Sequence, residues 1–167
     1  CSKLEINNIN FSINTLDNLD YPNNFFDAIF SYQVLHLTPW KSTLRKFYRL
    51  LKPGGKVYIN FNDIGWYVYL WETEHNKADN YDPKSIAARS FIQTLRYESN
   101  ENNFMEGDHF MISSQSMNKF LTDIGFNKIS FGLEGSISFK DKPMNSQPLS
   151  INKYKGLNCI NEVVAFK

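Results

Sequence analysis

The sequence predicts an α/β fold, with a mostly parallel sheet that carries an antiparallel strand at its C-terminal edge. Residues 25–31 and 56–62 are predicted strands on either side of one amphipathic helix, and a crossover of this kind makes its two strands parallel. The last two predicted strands are instead joined by a long loop without a helix, which is typical of antiparallel neighbours. These two observations determine the predicted fold class.

The elements of the amino-terminal part follow from local patterns. Residues 9–13 alternate apolar and polar side chains, which predicts a short strand, and residues 25–31 form an apolar run typical of a buried strand. Thr38 is a good N-cap, and Pro39 suits the first position of a helix. An apolar stripe then predicts a helix that ends at the Pro and Gly residues of 52–55, and its members are Leu44, Phe47, Tyr48 and Leu51.

Three more helices are predicted after the strand at 56–62. The first covers the aromatic residues 65–75, the second begins at Asp82 before a proline, and the third begins at Ser113 or Ser114 and ends at Gly125. We expect the second of these helices to bury its apolar side chains Ala88, Phe91, Ile92 and Leu95. Strands at 129–133 and 162–166 complete the order β, β, α, β, α, α, α, β, β.

Composition excludes several classes of protein. A chain of 167 residues fits a single domain, 1–167, and its 42% hydrophobic residues exclude a disordered chain. A net charge of +1 predicts no nucleic-acid partner, and the lack of an apolar run near the ~18 residues of a membrane span predicts no membrane partner. Two cysteines, Cys1 and Cys159, exclude a disulfide scaffold, so we expect a reducing, cytoplasmic setting.

Two motifs in the crossover carry a family resemblance. The stretch 26–36 reads FDAIFSYQVLH, and the helix that follows it ends in RLLKPGG at 49–55. Together, at this spacing, they resemble the class I S-adenosylmethionine-dependent methyltransferases. The resemblance continues through FLTDIGF at 120–126 and VVAFK at 163–167, and it therefore covers most of the chain.

The resemblance implies a partial Rossmann-like methyltransferase fold. Residues 9–13, 25–31 and 56–62 would be the third, fourth and fifth strands of the family, and residues 64–112 its insertion for acceptor specificity. The first two strands and the Gly-rich cofactor turn have no counterpart in this sequence, since its adjacent glycines, Gly54 and Gly55, precede a strand. We therefore expect the chain to be the C-terminal part of a larger methyltransferase-like domain.

The resemblance also implies S-adenosylmethionine as cofactor. Ligands of open α/β sheets lie beyond the carboxyl ends of the strands. This selects two groups of cofactor-binding residues, Asn14, Thr15 and Leu16 after one strand and Ser31, Tyr32 and Gln33 after the next. The family usually has an acidic residue where this chain has Thr15, and the nearby Asp17 is the candidate substitute.

His36 and Asp63 are the catalytic candidates, because both follow the end of a predicted strand. A base is required only if the acceptor must lose a proton, and a histidine has a pKa near the working pH. The alternatives remain open: His36 caps or packs the next helix, and Asp63 is a helix cap.

Trp66, Tyr69 and His109 are the candidate substrate-binding residues. Flat aromatic rings with polar tips suit a sugar or another ring, although such residues also serve as core. His109 ends the run Glu106–His109, whose spacing matches no metal template, so no metal site is predicted and the run is a solvated loop or a lid.

We interpret the chain as an enzyme that transfers a methyl group from S-adenosylmethionine to a small-molecule acceptor, with a sugar or glycan hydroxyl as the specific candidate. The alternative is a non-catalytic methyltransferase-like domain that binds or scaffolds. An NAD-dependent enzyme is a weaker rival, since its Gly-rich fingerprint is also missing. The sheet edge left by absent strands predicts association, either as a homo-oligomer or with a missing amino-terminal half.

Overall fold

The computed structural model describes residues 8–16, 19–101, 107, 109–137 and 150–167. The helices are α1 (Trp40–Leu50), α2 (Ile64–Thr73), α3 (Pro83–Glu98) and α4 (Ser114–Asp123), and a short 3-10 helix covers Leu35–Leu37. The strands are β1 (Phe26–Ser31), β2 (Leu51–Asn62), β3 (Asn127–Leu133), β4 (Lys153–Tyr154), β5 (Leu157–Asn158) and β6 (Ile160–Phe166). None of the helices in these ranges combines the length and apolar character needed to cross a bilayer.

The main sheet has the strand order β1-β2-β6-β3. β1 and β2 are parallel, and β6 is antiparallel to both β2 and β3. The predicted α/β class and the parallel crossover are therefore confirmed. The antiparallel strand lies between β2 and β3, so β3 forms the outer edge on that side. β4 and β5 form a separate two-stranded hairpin, which the sequence did not reveal.

The crossover differs from the prediction at both ends of its helix. α1 begins at Trp40 with Pro39 as the N-cap, while the Thr38 hydroxyl donates a 2.8 Å hydrogen bond to the Leu35 carbonyl. α1 ends at Leu50, so Leu51 begins β2 and is not part of the helical stripe. Between Leu51 and Lys56 the register with β1 shifts, and Gly54 has a φ of +78°, which only glycine adopts easily.

The core lies on one face of the sheet. Trp40, Leu44 and Phe47 of α1, with Met117 and Leu121 of α4, form one buried cluster with the sheet residues Val57, Ile59, Phe61, Val163 and Ala165. On the opposite face Phe30 is 72% exposed, and its ring stacks on that of Tyr58 at 4.9 Å. This asymmetry leaves apolar surface on one side of β1.

The predicted strand at 9–13 is wrong. These residues have no strand structure, and Phe11 and Ile13 are exposed. A strand forms only where a neighbour accepts its backbone hydrogen bonds, and among the described residues β1 pairs with β2 alone. Residues 9–13 therefore alternate apolar and polar side chains but pair with no strand of the described residues.

The predicted buried face of α3 is also wrong. Ile92 and Leu95 are exposed, Ala88 and Phe91 are half-buried, and the buried positions are Pro83, Ala87, Ser90 and Gln93. α3 packs on α2. Small side chains such as Ala87 and Ser90 allow the two helices to approach closely. The Ser90 hydroxyl donates to the Ile86 carbonyl at 2.7 Å, so its burial leaves no unsatisfied donor.

Candidate active site

The turn after β1 brings the 3-10 helix against the end of β2. Gln33 has a φ of +55°, and its backbone N–H donates a 2.6 Å hydrogen bond to Oδ1 of Asn60. A non-glycine residue in this left-handed conformation is uncommon and is often found at functional sites. The turn thus redirects the chain so that His36 follows the carboxyl end of β1 directly.

His36 is buried, with 5% of its surface exposed. Its carbonyl accepts a 2.8 Å hydrogen bond from the Phe110 N–H, and its ring lies 5.6 Å from the ring of His109. Its Nδ1 has no hydrogen-bond partner among the described residues. Burial, and secondly the neighbouring His109, lowers the pKa of His36 to about 3. The expected pKa near the working pH is therefore wrong, and the imidazole is neutral at neutral pH.

Asn62 and Tyr67 lie around the same segment of backbone. The Asn62 carbonyl accepts a 3.0 Å hydrogen bond from the Ile112 N–H, and the hydroxyl of the fully buried Tyr67 donates to the Phe110 carbonyl at 3.1 Å. The Oδ1 of Asn62 is buried without a hydrogen-bond partner among the described residues. Segment 109–112 therefore joins the ends of β1 and β2, and it defines what we call the Phe110 site: His36, Asn62, Tyr67, His109 and Phe110.

Tyr67 was missed at the sequence level because three other aromatic residues surround it in the chain. Its signal was available in the helical spacing, since Tyr67 and Leu70 are three residues apart and both face the interior. Burial raises the pKa of Tyr67, which keeps its hydroxyl protonated as a donor.

Asp63 is the N-cap of α2. Its carboxylate accepts a 2.7 Å hydrogen bond from the Ile64 N–H and a 2.8 Å bond from the Asn161 side chain. Burial raises the pKa of Asp63, and these hydrogen bonds oppose that increase. The geometry favours the capping role, since both contacts hold the carboxylate against its own backbone and β6; a catalytic role for Asp63 stays a prediction.

Trp66 and Tyr69 form an aromatic cluster on α2, and Trp66 also packs against the buried group that contains Tyr67 of the Phe110 site. The Trp66 ring lies 5.7 Å from that of Tyr69, whose hydroxyl is 3.0 Å from Nδ1 of His75. Tyr69 also meets the ring of Tyr154 at 5.3 Å. Within the described residues, neither Trp66 nor Tyr69 makes a ring contact or hydrogen bond with His36, whereas the ring of His109 does contact that of His36.

The predicted cofactor residues divide into two groups. Asn14 and Thr15 are exposed, and the Asn14 amide bonds only the nearby Ser12 hydroxyl, at 3.3 Å. Leu16, Ser31 and Tyr32 instead line one groove of about 550 Å³ beside β1. These residues fit one side of S-adenosylmethionine, with an apolar wall from Leu16 and polar groups at the strand end. Asp17 lies outside the described residues.

A second polar cluster, which we call the tyrosine–glutamate network, lies beside the end of β1. The Tyr32 hydroxyl donates to Glu134, the Tyr58 hydroxyl donates to Glu162 at 2.6 Å, and the Asn60 amide donates to Glu134 at 3.3 Å. Both carboxylates are buried. Burial, and secondly the bond to Glu134, raises the pKa of Tyr32 to about 12. Glu162 was detectable as the acidic residue within an otherwise apolar strand.

Metal ligands do not assemble in the described part of the chain, where no group of three His, Cys, Asp or Glu side chains could hold an ion. Glu106 and Asp108, which belong to the run before His109, lie outside the described residues.

Three comparisons place the chain among known proteins. Residues 2–59 match the family model described as a methyltransferase domain. The chain is 40% identical over 52 residues to phosphoethanolamine N-methyltransferase 3 of Arabidopsis thaliana, and 38% identical over 55 residues to the ubiquinone/menaquinone biosynthesis C-methyltransferase UbiE of Pectobacterium atrosepticum. These matches cover 30% and 32% of this chain, but only 11% and 22% of the relatives.

A solved structure extends the similarity to the whole fold. A SAM-dependent methyltransferase from Methanosarcina mazei superposes with a TM-score of 0.52 at 13% identity, over 94% of this chain and 66% of the other. Identity this low shows the fold alone. The matched sequence segment contains β1, α1 and most of β2, together with His36 as its one residue of the Phe110 site.

Proposed function

We propose that the chain is part of a class I S-adenosylmethionine-dependent methyltransferase and that it provides the acceptor side of an active site that methylates a small molecule. The observation that carries the proposal is His36, a neutral, buried imidazole whose Nδ1 has no partner among the described residues. Buried polar atoms are almost always satisfied, so an unsatisfied acceptor at the end of β1 is suited to receive a ligand proton.

Cofactor binding is assigned to the carboxyl end of β1. Leu16 would contact the adenine, while Ser31 and Tyr32 of the same groove would contact the rest of the nucleoside side of the ligand. Gln33 does not line the groove, and its place directly after Tyr32 is what supports it as a third contact. When bound, S-adenosylmethionine supplies an electrophilic methyl group, and its sulfur keeps the electron pair of the broken bond. The protein's main task is then alignment of the acceptor with that methyl group, which is a large contribution in displacement reactions.

His36 favours an oxygen acceptor. As a hydroxyl oxygen bonds to the methyl carbon it gains positive charge, so its proton becomes strongly acidic and a weak base such as His36 accepts it at Nδ1. We therefore propose a small-molecule hydroxyl as the acceptor group.

Fewer observations indicate which kind of molecule carries the acceptor hydroxyl. The two relatives are named for phosphoethanolamine and for ubiquinone and menaquinone, and neither name refers to a sugar. A sugar or glycan hydroxyl is supported only by the aromatic cluster of Trp66 and Tyr69, which offers ring faces but makes no ring contact or hydrogen bond with His36 in the described part of the chain. The sugar is accordingly one member of the acceptor panel in the test.

The test measures methyl transfer from labelled S-adenosylmethionine to a panel of sugars, phenols, quinols and phosphoethanolamine, together with binding of S-adenosylhomocysteine by calorimetry. We expect His36→Ala to reduce kcat by roughly 100-fold or more and to leave product binding unchanged, since general bases contribute at least that much. His75→Gln is the matched control for the non-sugar acceptors, because His75 contacts Tyr69 of the aromatic cluster and does not lie beside His36.

Two results would contradict the proposal. Full activity of His36→Ala with a hydroxyl acceptor would remove His36 from the reaction. Failure of the chain to bind S-adenosylhomocysteine, in a sample whose thermal unfolding is cooperative, would favour the alternative of a non-catalytic binding domain, which the exposed Asn14 and Thr15 also suggest.

A further inference from the structure

Helix α3 contacts segment 109–112, although none of its residues belongs to the Phe110 site as defined above. The Thr94 hydroxyl oxygen accepts a 2.8 Å hydrogen bond from the Met111 N–H. One turn later, the Tyr97 ring lies 4.9 Å from the ring of Phe110. This end of α3 therefore forms a further wall around the segment.

Gln93 lies on this wall with its side chain buried. It is 4% exposed, and its Oε1 has no hydrogen-bond partner among the described residues. Positions 90, 93 and 97 share one face of a helix. Ser90 lies against the hydroxyl of Tyr67, and Tyr97 lies against Phe110, so the Gln93 side chain is directed toward the same site.

The orientation of the Asn62 side chain follows from Tyr67. The Tyr67 hydroxyl donates its one proton to the Phe110 carbonyl at 3.1 Å. The Asn62 side chain lies against the same hydroxyl, and because the proton is already used, Asn62 meets it with its NH₂ group as donor. The Oδ1 of Asn62 is therefore turned away from Tyr67, and it is buried without a partner among the described residues.

Three buried acceptor atoms thus surround one backbone segment, and the described part of the chain offers none of them a donor. They are Nδ1 of His36, Oδ1 of Asn62 and Oε1 of Gln93, and each of these residues is 5% exposed or less. Buried polar atoms are almost always satisfied, so a group of unsatisfied acceptors indicates a ligand that carries the matching donors. The methylated hydroxyl supplies the donor for His36, and the two amide oxygens require two more.

We propose that Asn62 and Gln93 determine acceptor specificity by accepting hydrogen bonds from two further hydroxyl groups of the acceptor, which is therefore a polyhydroxy compound. The proposal rests on the proposed function, because it concerns the molecule that His36 deprotonates. Asn62 and Gln93 take no part in the chemical step. They align the acceptor and reject molecules that leave their oxygens unpaired.

An ammonium group would also offer donors, but a buried cation requires a negative partner. None of the described side chains that form this site, His36, Asn62, Tyr67 and Gln93, is a carboxylate. The carboxylate of Asp63, which follows Asn62 in the chain, is already held by the Ile64 N–H and the Asn161 side chain. Uncharged hydroxyl donors therefore fit the site better.

The test compares acceptors that share a skeleton and differ in their hydroxyl groups. One series is phenol, catechol and pyrogallol, and the other is methyl glucoside with its monodeoxy analogues. In at least one series, the loss of hydroxyl groups should lower kcat/KM for methyl transfer by roughly 100-fold or more, because a site with buried polar groups discriminates strongly against ligands that leave them unpaired. Calorimetric binding in the presence of S-adenosylhomocysteine should rank the compounds in the same order.

Gln93→Met identifies the hydroxyl that Gln93 holds, since it keeps the length of the side chain and removes its oxygen. In this variant, omission of that one hydroxyl should no longer lower kcat/KM, whereas omission of the partner of Asn62 should still cost about tenfold or more. Asn62 stays unchanged, because its NH₂ group also contacts Tyr67. Gln115→Met, at an exposed position of α4, is the matched control and should behave as the parent does.

Equal kcat/KM throughout both series overturns the inference, and the proposed function still stands if His36→Ala is inactive. A cooperatively unfolding Gln93→Met protein that responds to every omitted hydroxyl as the parent does also overturns it, and would show that water satisfies Oε1. Transfer to the amine of phosphoethanolamine in preference to every hydroxyl compound would replace the hydroxyl donors by an ammonium group. Failure to bind S-adenosylhomocysteine and every hydroxyl compound contradicts the proposed function, and this inference with it.

Discussion

The Phe110 site and the tyrosine–glutamate network are two polar clusters near the ends of the same strands, and they differ in how their buried atoms are satisfied. In the network, Glu162 accepts hydrogen bonds from Tyr58 and from the Gly135 N–H at 3.0 Å. In the Phe110 site, buried atoms of His36 and Asn62 have no partner among the described residues. A satisfied cluster stabilises the fold, whereas an unsatisfied one costs stability and is available to a ligand.

The largest expected effect is on the network. Glu162→Leu removes the carboxylate that accepts hydrogen bonds from the Tyr58 hydroxyl and from the backbone N–H groups of Gly135 and Ile137. We expect the free energy of unfolding to fall by roughly 3 kcal/mol, since a hydrogen bond to a charged acceptor contributes about 1.5–3 kcal/mol. Denaturant unfolding measures it. A change below about 0.5 kcal/mol would show that the network is not structural.

At the Phe110 site we expect the reverse of the network, with little change in stability and a large loss of activity. His36→Leu removes a buried polar atom that has no partner, so stability should change by less than about 1 kcal/mol. Methyl transfer should nevertheless fall by roughly 100-fold, which is close to 2.7 kcal/mol in the barrier. Parallel unfolding and activity measurements decide between the roles, because a packing histidine would lose stability and activity together.

Lowering the pH should also reduce the stability of the fold through His36. The folded pKa of His36 is lowered to about 3 from 6.5, so below pH 6.5 the unfolded chain takes up a proton that the folded chain does not. Stability contributed by the neutral ring is present above pH 6.5 and is lost as the pH falls. We expect about 2 kcal/mol less stability at pH 5 than at pH 7 from this residue. His36→Leu should remove that part of the slope, and identical slopes would contradict the account.

The smallest effect concerns Tyr32. Its folded pKa is raised to about 12, so the stability contributed by the protonated hydroxyl is present below pH 10 and is lost between pH 10 and pH 12. Tyr32→Phe should cost about 1 kcal/mol at neutral pH through the lost hydrogen bond and should flatten this alkaline decrease. A spectroscopic titration of tyrosine absorbance provides the independent check.

The crossover was predictable because its determinants are local. The apolar runs and Pro39 specify strand, helix and strand without reference to distant residues, although Gly54 and Gly55 lie inside β2 and not between the helix and the strand. The prediction of a strand at 9–13 was wrong because a strand needs a neighbouring strand to pair with, and the local alternation of side chains gives no information about that neighbour. The prediction for α3 was wrong because it chose the face that carries the large apolar side chains Phe91, Ile92 and Leu95 together with Ala88. Contact with α2 instead buries the face that carries Ala87 and Ser90.

The candidate site was predictable only in part for the same reason. His36 follows from its place after β1, but its burial and the loss of its positive charge depend on His109 and Phe110, which are more than seventy positions away. Tyr67 and Asn62 join the site through segment 109–112, and no sequence pattern indicates that contact. Asp63 was weighed as base and as cap, and the Ile64 N–H bond favours the cap.

The most direct test is imidazole nitrogen NMR of His36 at pH 6, with and without a hydroxyl acceptor. We predict a neutral ring with an unprotonated Nδ1, whose resonance moves when the acceptor binds in the presence of S-adenosylhomocysteine. His36→Leu identifies the signal. A charged imidazolium at this pH, or an Nδ1 resonance that does not respond to any acceptor that the protein binds, would contradict the assignment of His36 as the group that receives the acceptor proton.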